Sequence, residues 1–223
     1  MKGTLVNSGG IIVGSLIGLS VGNRLPERFK KTVMQTLGLS VVVIGLQMAL
    51  SVREVIPVVG CLLLGALTGE LLEVEDWVER LGEWLKERFH SGSATFVEGF
   101  VSASVLYISG AMVIVGAIQD GAVGDASTLY LKAMLDGVAS VAFASTLGLG
   151  VAFSAIPVLV VQGTITLLAS HLLFLQDPRV LSAVTATGGV LILAIGINIL
   201  ELKKIPVGNL LPSLVYAVLW ALV

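Results

Sequence analysis

The sequence predicts an all-α polytopic membrane protein with about eight transmembrane helices, and three observations predict it. Of 223 residues, 56% are hydrophobic and only 13% charged, where a soluble domain carries roughly a quarter charged residues. Mean hydropathy is +0.99. Apolar runs of about 18 to 25 residues, each long enough to cross a bilayer core as a helix, recur along the chain. Finally, two hairpins near opposite ends match each other in sequence.

The first span covers residues 3–22 and reads as a retained span rather than a signal peptide, because Lys2 alone is a weak charged region and more apolar runs follow. Gly10, Gly14, Gly18 and Gly22 stand four residues apart on one face of it. Such a stripe lets another helix approach backbone to backbone, either between subunits, as a sliding contact, or in static packing within one subunit. Spans two and three cover 33–50 and 55–72. Residues 75–89 set Trp77, Leu81, Trp84, Leu85 and Phe89 at helical spacing among charges, as suits a helix lying at the membrane interface. Span four covers 96–118. The run 129–175 is too long for one crossing and is divided at Ser154 to Pro157 into spans five and six, because proline removes a backbone donor and restricts the residue before it. Spans seven and eight cover 180–200 and 205–223.

Charge placement gives the orientation. Arg24, Arg28, Lys30, Lys31, Arg80, Lys86, Arg88, Lys203 and Lys204 all fall on one side if there are eight spans. The positive-inside rule then makes that side cytoplasmic and places both ends outside. The result is a single membrane domain, 1–223: a first repeat (1–74), an interfacial helix (75–93), spans four and five (94–154) and a second repeat (155–223).

The repeat rests on specific residues. Ile44 and Gly45 match Ile195 and Gly196, and Thr36 and Gly38 match Thr187 and Gly189 at the same offset (196 − 45 = 151). A charged turn follows each helix, with Arg53 and Glu54 in one and Glu201 to Lys204 in the other. Both turns lead into Ile-Pro-Val, at 56–58 and 205–207. Spans two and three thus correspond to seven and eight. Five crossings separate them, an odd number, so spans 1–3 and 6–8 form an inverted repeat of the kind that builds transport pathways.

Several polar residues lie at membrane depth. Asp136 opens span five one helical turn after Lys132. It is either a cation or proton site or half of an i,i+4 pair near the membrane surface. Ser145 and Thr146, beside Gly148 and Gly150, suit a locally unwound helix with freed carbonyls, or hydroxyls bonded back to their own helix. Glu98 starts span four near the inner surface, apart from Asp136. Gln47 and Asn198 occupy equivalent repeat positions and are expected to face each other across a pseudo-twofold axis. Gln162 lies within span six, with Asn7 and Asn209 as further buried amides that need partners. The lone Cys61 provides no disulfide or thiolate cluster. HExxH, G-x-S-x-G and P-loop patterns are missing, so no enzyme is expected. A net charge of −2 does not suggest a nucleic-acid partner.

The residues also resemble a family. Phe96 to Val101, Gly116 to Gly121, Leu135-Asp136-Gly137, Phe143 to Gly148, Ser154 to Val158, Gln162-Gly163 and Thr185 to Gly189 resemble, in order and over essentially the whole chain, the YqgA/YdfK-like bacterial inner-membrane proteins. The resemblance implies a cytoplasmic-membrane location. That family is a domain of unknown function described as a candidate transport protein, so no substrate and no assigned site residues follow.

Together these readings lead to a small multi-pass transporter for a cation or a proton- or cation-coupled solute, moving along a polar path between repeats. Asp136, Ser145, Thr146, Gln162, Gln47, Asn198 and Glu98 would line that path. A monovalent cation or proton is the only cofactor expected, and the partners are the bilayer, a small solute or ion, and further copies of the chain. An ion channel and a non-transporting scaffold or regulatory protein are the alternatives.

Overall fold

Two long helices meet where glycines of one lie against the backbone of the other. In the computed structural model, which describes every residue except Asn23, Leu25 and Arg53 and gives Glu27 by its backbone alone, α1 (Lys2–Gly22) lies along α7 (Ser127–Leu147). A Cβ placed on Gly14, Gly18 or Gly22 would meet the backbone carbonyls of Gly137, Val141 and Ser145. The pairs keep one offset (137 − 14 = 123), so the helices run parallel. The glycine stripe is therefore filled within the chain, and the static-packing reading accounts for it.

The two helices of the sequence match pack on each other. Within α2 (Glu27–Ala49) and α10 (Pro178–Ile199), Gly45 lies against Gly189 and Leu193, Gly196 against Gly38 and Val42, Gly38 against Ile199 and Leu200, and Gly189 against Met48 and Ala49. Rising numbers in one helix meet falling numbers in the other, so the pair is antiparallel. The α10 helix begins where the Asp177 carboxylate accepts the Arg179 N–H at 2.8 Å, with Pro178 in the first turn. Next to this pair, α3 (Val55–Leu71) packs against α11 (Val207–Leu210) and α12 (Pro212–Ala221), through Gly69 on Asn209 and Gly65 on Ser213. The last predicted span is two helices, with Pro212 in the first turn of the second. Arg53, part of the first charged turn, lies outside the described residues.

Breaks elsewhere shape the interior. A 61° bend separates α3 from α4 (Val74–Arg88) at Glu73, whose φ is 52°. The α4 helix matches the interfacial segment: Trp77 and Trp84 are exposed, while Leu85 packs with Phe96 and Phe100. The predicted continuous span 96–118 is corrected. It is α5 (Phe96–Ile108) and α6 (Ala111–Ala122), bent by 63° at Ser109 and Gly110, a Ser-Gly pair being a known cause of sharp kinks. The run 129–175 is interrupted at the expected Ser154, between Phe153 and Ala155, and also earlier, at Gly148. Gly148, at φ 79° and ψ −158°, ends α7 in a conformation open essentially to glycine alone. The short α8 (Gly150–Phe153) then leads into α9 (Ala155–Leu167). Pro157 falls in the first turn of α9, where its missing N–H would have had no helical partner.

The chain is thus an all-α membrane protein. Among the described residues, four helical stretches are long and apolar enough to cross a membrane, or six if each bent pair is taken as one span.

Candidate functional site

The α7 helix turns Leu131, Met134, Leu135 and Val138 outward and its charged face inward. On that inner face Lys132 Nζ lies 2.5 Å from Asp136 Oδ2. Lys132 is 6% exposed and Asp136 7%. The i,i+4 spacing expected from sequence is present, and the pair is buried within the protein. A charged pair in low-dielectric surroundings persists only if well bonded, and a polar frame surrounds this one.

That frame comes from α1 and α9. Asn7 Nδ2 donates to Gln162 Oε1 at 3.0 Å, and Gln162 Nε2 donates to Thr4 Oγ1 at 3.2 Å. The Thr166 hydroxyl lies 3.1 Å from that of Thr4 and donates to the Gln162 carbonyl at 2.8 Å. Asn7 also interacts with the Asp136 carboxyl, and Asn7 Oδ1 has no hydrogen-bond partner among the described residues. Further along, Asp120 at the end of α6 accepts the Gly3 N–H at 3.1 Å. On the opposite side of the pair, Tyr107 and Ser140 share a 2.8 Å hydrogen bond, and Lys132 Nζ lies 5.9 Å from the centroid of the Tyr107 ring. Tyr107 immediately precedes the α5–α6 bend. At that bend Ser109 packs on Gly188, beside the fully buried Thr187, whose hydroxyl has no partner among the described residues.

A separate cavity of about 510 Å³ opens at the α4 end of the molecule, between α5 and α10. Glu75, Glu79, Glu98, Glu201, Lys203 and Lys204 contribute its charges, and Ser102 and Ile195 also line it. Lys204 Nζ donates to Glu79 Oε1 at 2.9 Å, and that hydrogen bond raises the lysine above its ordinary range. Burial pushes the Glu75 carboxyl upward, with the Gly208 N–H it accepts acting in the other direction.

The expected site residues fall into three places. Asp136 and Gln162 meet at the interior network. Glu98 lies in the cavity, distinct from Asp136 as expected, and Asn198 lines the same cavity. The Asn198 side-chain amide clamps the following turn, Nδ2 donating to the Ile205 carbonyl at 2.9 Å and Oδ1 accepting its N–H at 2.8 Å. Gln47 is exposed. Antiparallel packing puts Gln47 and Asn198 at opposite ends of the α2–α10 pair, so they do not face each other. Ser145 and Thr146 remain helical, with hydroxyls bonded to the Ala142 and Phe143 carbonyls; the unwinding comes at Gly148. Asn209 joins the α3–α4 bend to α11, accepting from the Glu75 N–H and donating to Glu70. Sequence reasoning missed Thr4, Thr166, Tyr107 and Ser102. Thr4, Asn7, Ser8 and Ser15 do recur at helical spacing on α1, a polar line that the adjacent glycine stripe obscured.

A helical membrane protein with a buried charge pair and a cavity at one end is the class these features define. The chain belongs to the family described as "Protein of unknown function (DUF554)", which matches residues 2–222. It is 32% identical over 220 residues to "Uncharacterized protein YqgA" of Escherichia coli (strain K12), covering 96% of this chain and 94% of that one. It is 31% identical over 221 residues to "Uncharacterized membrane protein YdfK" of Bacillus subtilis (strain 168), covering 96% and 93%. No solved structure matches.

Proposed function

We propose that the protein is a small transporter of the cytoplasmic membrane, moving a cation or a proton- or cation-coupled solute, rather than an enzyme. The observation carrying this reading is the Lys132–Asp136 pair, buried on a helix with a lipid-compatible outer face. Ionisable residues at membrane depth are costly and characteristically mark ion or proton pathways. Its neighbours favour the same reading: a bent helix at Ser109 and Gly110, and an amide–hydroxyl chain leading from Asp136 toward the start of α1. In this mechanism Asp136 exchanges its lysine partner for a proton or cation, and Lys132 is freed to move toward Tyr107.

Eight crossings in two inverted repeats are the architecture we assign to it. Contacts in α2 and α10 support the inversion. Under the 151-residue offset, Gly45 on Gly189 becomes Gly196 on Gly38, and Gly45 on Leu193 becomes Gly196 on Val42; both members of each exchange occur. An antiparallel pair related by a twofold axis has this property.

Ion flux into proteoliposomes, measured over a panel of monovalent cations and across a pH gradient, tests the function. Flux driven by a gradient and abolished in Asp136→Asn is the expected result. Absence of flux under every gradient, or equal flux in Asp136→Asn, removes the proposal. Non-saturating flux would identify a channel instead.

A further inference from the structure

The cavity between α5 and α10 has a chemistry of its own. Four carboxylates and two lysines line it, but two of the carboxylates are already engaged: Glu79 with Lys204, and Glu75 with the Gly208 N–H. Glu98 and Glu201 remain. They are electrostatic neighbours, and neither has a side-chain hydrogen bond or ion pair with any other described residue. Lys203 is exposed at the rim.

Ser102 provides the second, independent observation. It lies one turn beyond Glu98 on the same face of α5, lines the cavity and is only 4% exposed. Its hydroxyl makes no hydrogen bond with any described residue, although Ser104 and Ser109 on the same helix both bond to carbonyls. A buried serine in a helix ordinarily bonds back to its own backbone or finds another partner. A hydroxyl left free at a cavity wall is an acceptor waiting for a donor.

We infer that this cavity binds an organic ammonium ion, held by the Glu98 carboxylate and the Ser102 hydroxyl, with Glu201 adding negative charge. Size and walls decide between this and a bare inorganic cation. About 510 Å³ is in the range of small-molecule sites, far larger than a monovalent ion. Val97, Val101, Ile195 and Val207 supply apolar surface for a carbon chain. An ammonium has several N–H donors for the two acceptors, and charge-assisted bonds are the strong ones. The inference names the substrate class of the transporter proposed above and rests on that reading only for the movement of the ligand, not for its binding.

The test is isothermal titration calorimetry on the full chain in lipid nanodiscs, with n-butylamine and 1,4-diaminobutane as probes and 1-butanol, butyrate and potassium as controls. The amines are expected to bind saturably and the controls not to. Affinity should fall by about tenfold or more in Glu98→Gln, the scale of a lost charge-assisted hydrogen bond, and less in Ser102→Ala. Glu201→Gln, at an exposed position, guards against misfolding and should weaken binding while leaving the helical circular dichroism unchanged. Equal heats for butanol and butylamine, competition by potassium at the same concentration, or unaltered affinity in Glu98→Gln and Glu201→Gln would overturn the inference. Amine binding with no flux of the amine or of any other cation into proteoliposomes keeps the cavity assignment and removes the transporter reading. Uptake of another cation with no amine binding does the reverse.

Discussion

Lys132 Nζ and Asp136 Oδ2 are 2.5 Å apart on one face of α7, both residues buried. Removing one partner strands the other charge in a low-dielectric interior. Asp136→Asn is therefore expected to destabilise the protein by about 3–5 kcal/mol. The double variant Lys132→Met/Asp136→Leu should recover most of that loss while carrying no flux. Denaturant titration in detergent micelles measures the first effect and proteoliposome flux the second. A double variant that still transports would show that the pair serves packing alone.

The contact of α1 with α7 makes a sharper claim about single glycines. A methyl on Gly14 would meet the Gly137 backbone, whereas a methyl on Gly9 meets nothing within 4 Å. Gly14→Ala should lower stability by about 1–3 kcal/mol, as overpacking does. Gly9→Ala should leave it unchanged or raise it by up to about 1 kcal/mol through helix propensity. Similar unfolding midpoints for the two variants would mean that the helices are not held this closely.

Much of this fold was legible in the sequence, and the parts that were not have physical reasons. Hydropathy and the small-residue stripe on α1 report on helix existence and close packing, and both survive in the structure. The α4 segment could be read because its charged and aromatic residues separate cleanly at helical spacing. Helix breaks were harder. Proline signals a break only where a backbone donor is needed, and Pro157 sits where none is. The end of α7 falls on Gly148, one of 26 glycines, and composition cannot distinguish it or Gly124 as the ones with positive φ. The candidate site was half visible for a similar reason. Asp136 and Gln162 stand out as polar residues in apolar runs, but Thr4, Thr166 and Ser102 resemble the many hydroxyls that merely bond back to their helices. Only the packing of α1 on α9, and of α5 beside α10, distinguishes them.

Residues at matching positions of the two similar sequence stretches need not do equivalent work, and Gln47 with Asn198 provides the test. Asn198 makes two hydrogen bonds to Ile205 and fixes the turn into α11, whereas Gln47 is exposed. Asn198→Leu should destabilise the protein by about 1–3 kcal/mol, as two modest bonds are lost and the Ile205 N–H and carbonyl both lose their partner. Gln47→Leu should change stability by no more than about 0.5 kcal/mol. Amide hydrogen exchange at Ile205 offers a local check, with faster exchange expected in the Asn198 variant and none of that change in the Gln47 variant.

The junction of α4 with α11 should respond to pH through Glu75. Burial is the main influence on its carboxyl and raises it from 4.5; the Gly208 N–H opposes that shift, and the nearby charges are Glu79, Lys204 and Asp76. A carboxyl raised in the folded state contributes stability that is fully present below its unfolded value. That contribution is lost as pH rises through the folded value, because the solvated carboxyl of the unfolded chain ionises more readily than the buried one. Stability of the wild type relative to Glu75→Gln is therefore expected to decline as pH is raised from about 4.5, the ordinary carboxyl value, and then to level off. Paired unfolding curves across that range, followed by the fluorescence of Trp77 and Trp84 on α4, measure the difference. A difference that grows in favour of the wild type with rising pH would mean that the Gly208 N–H outweighs burial and that the anion is the form the junction was built to hold.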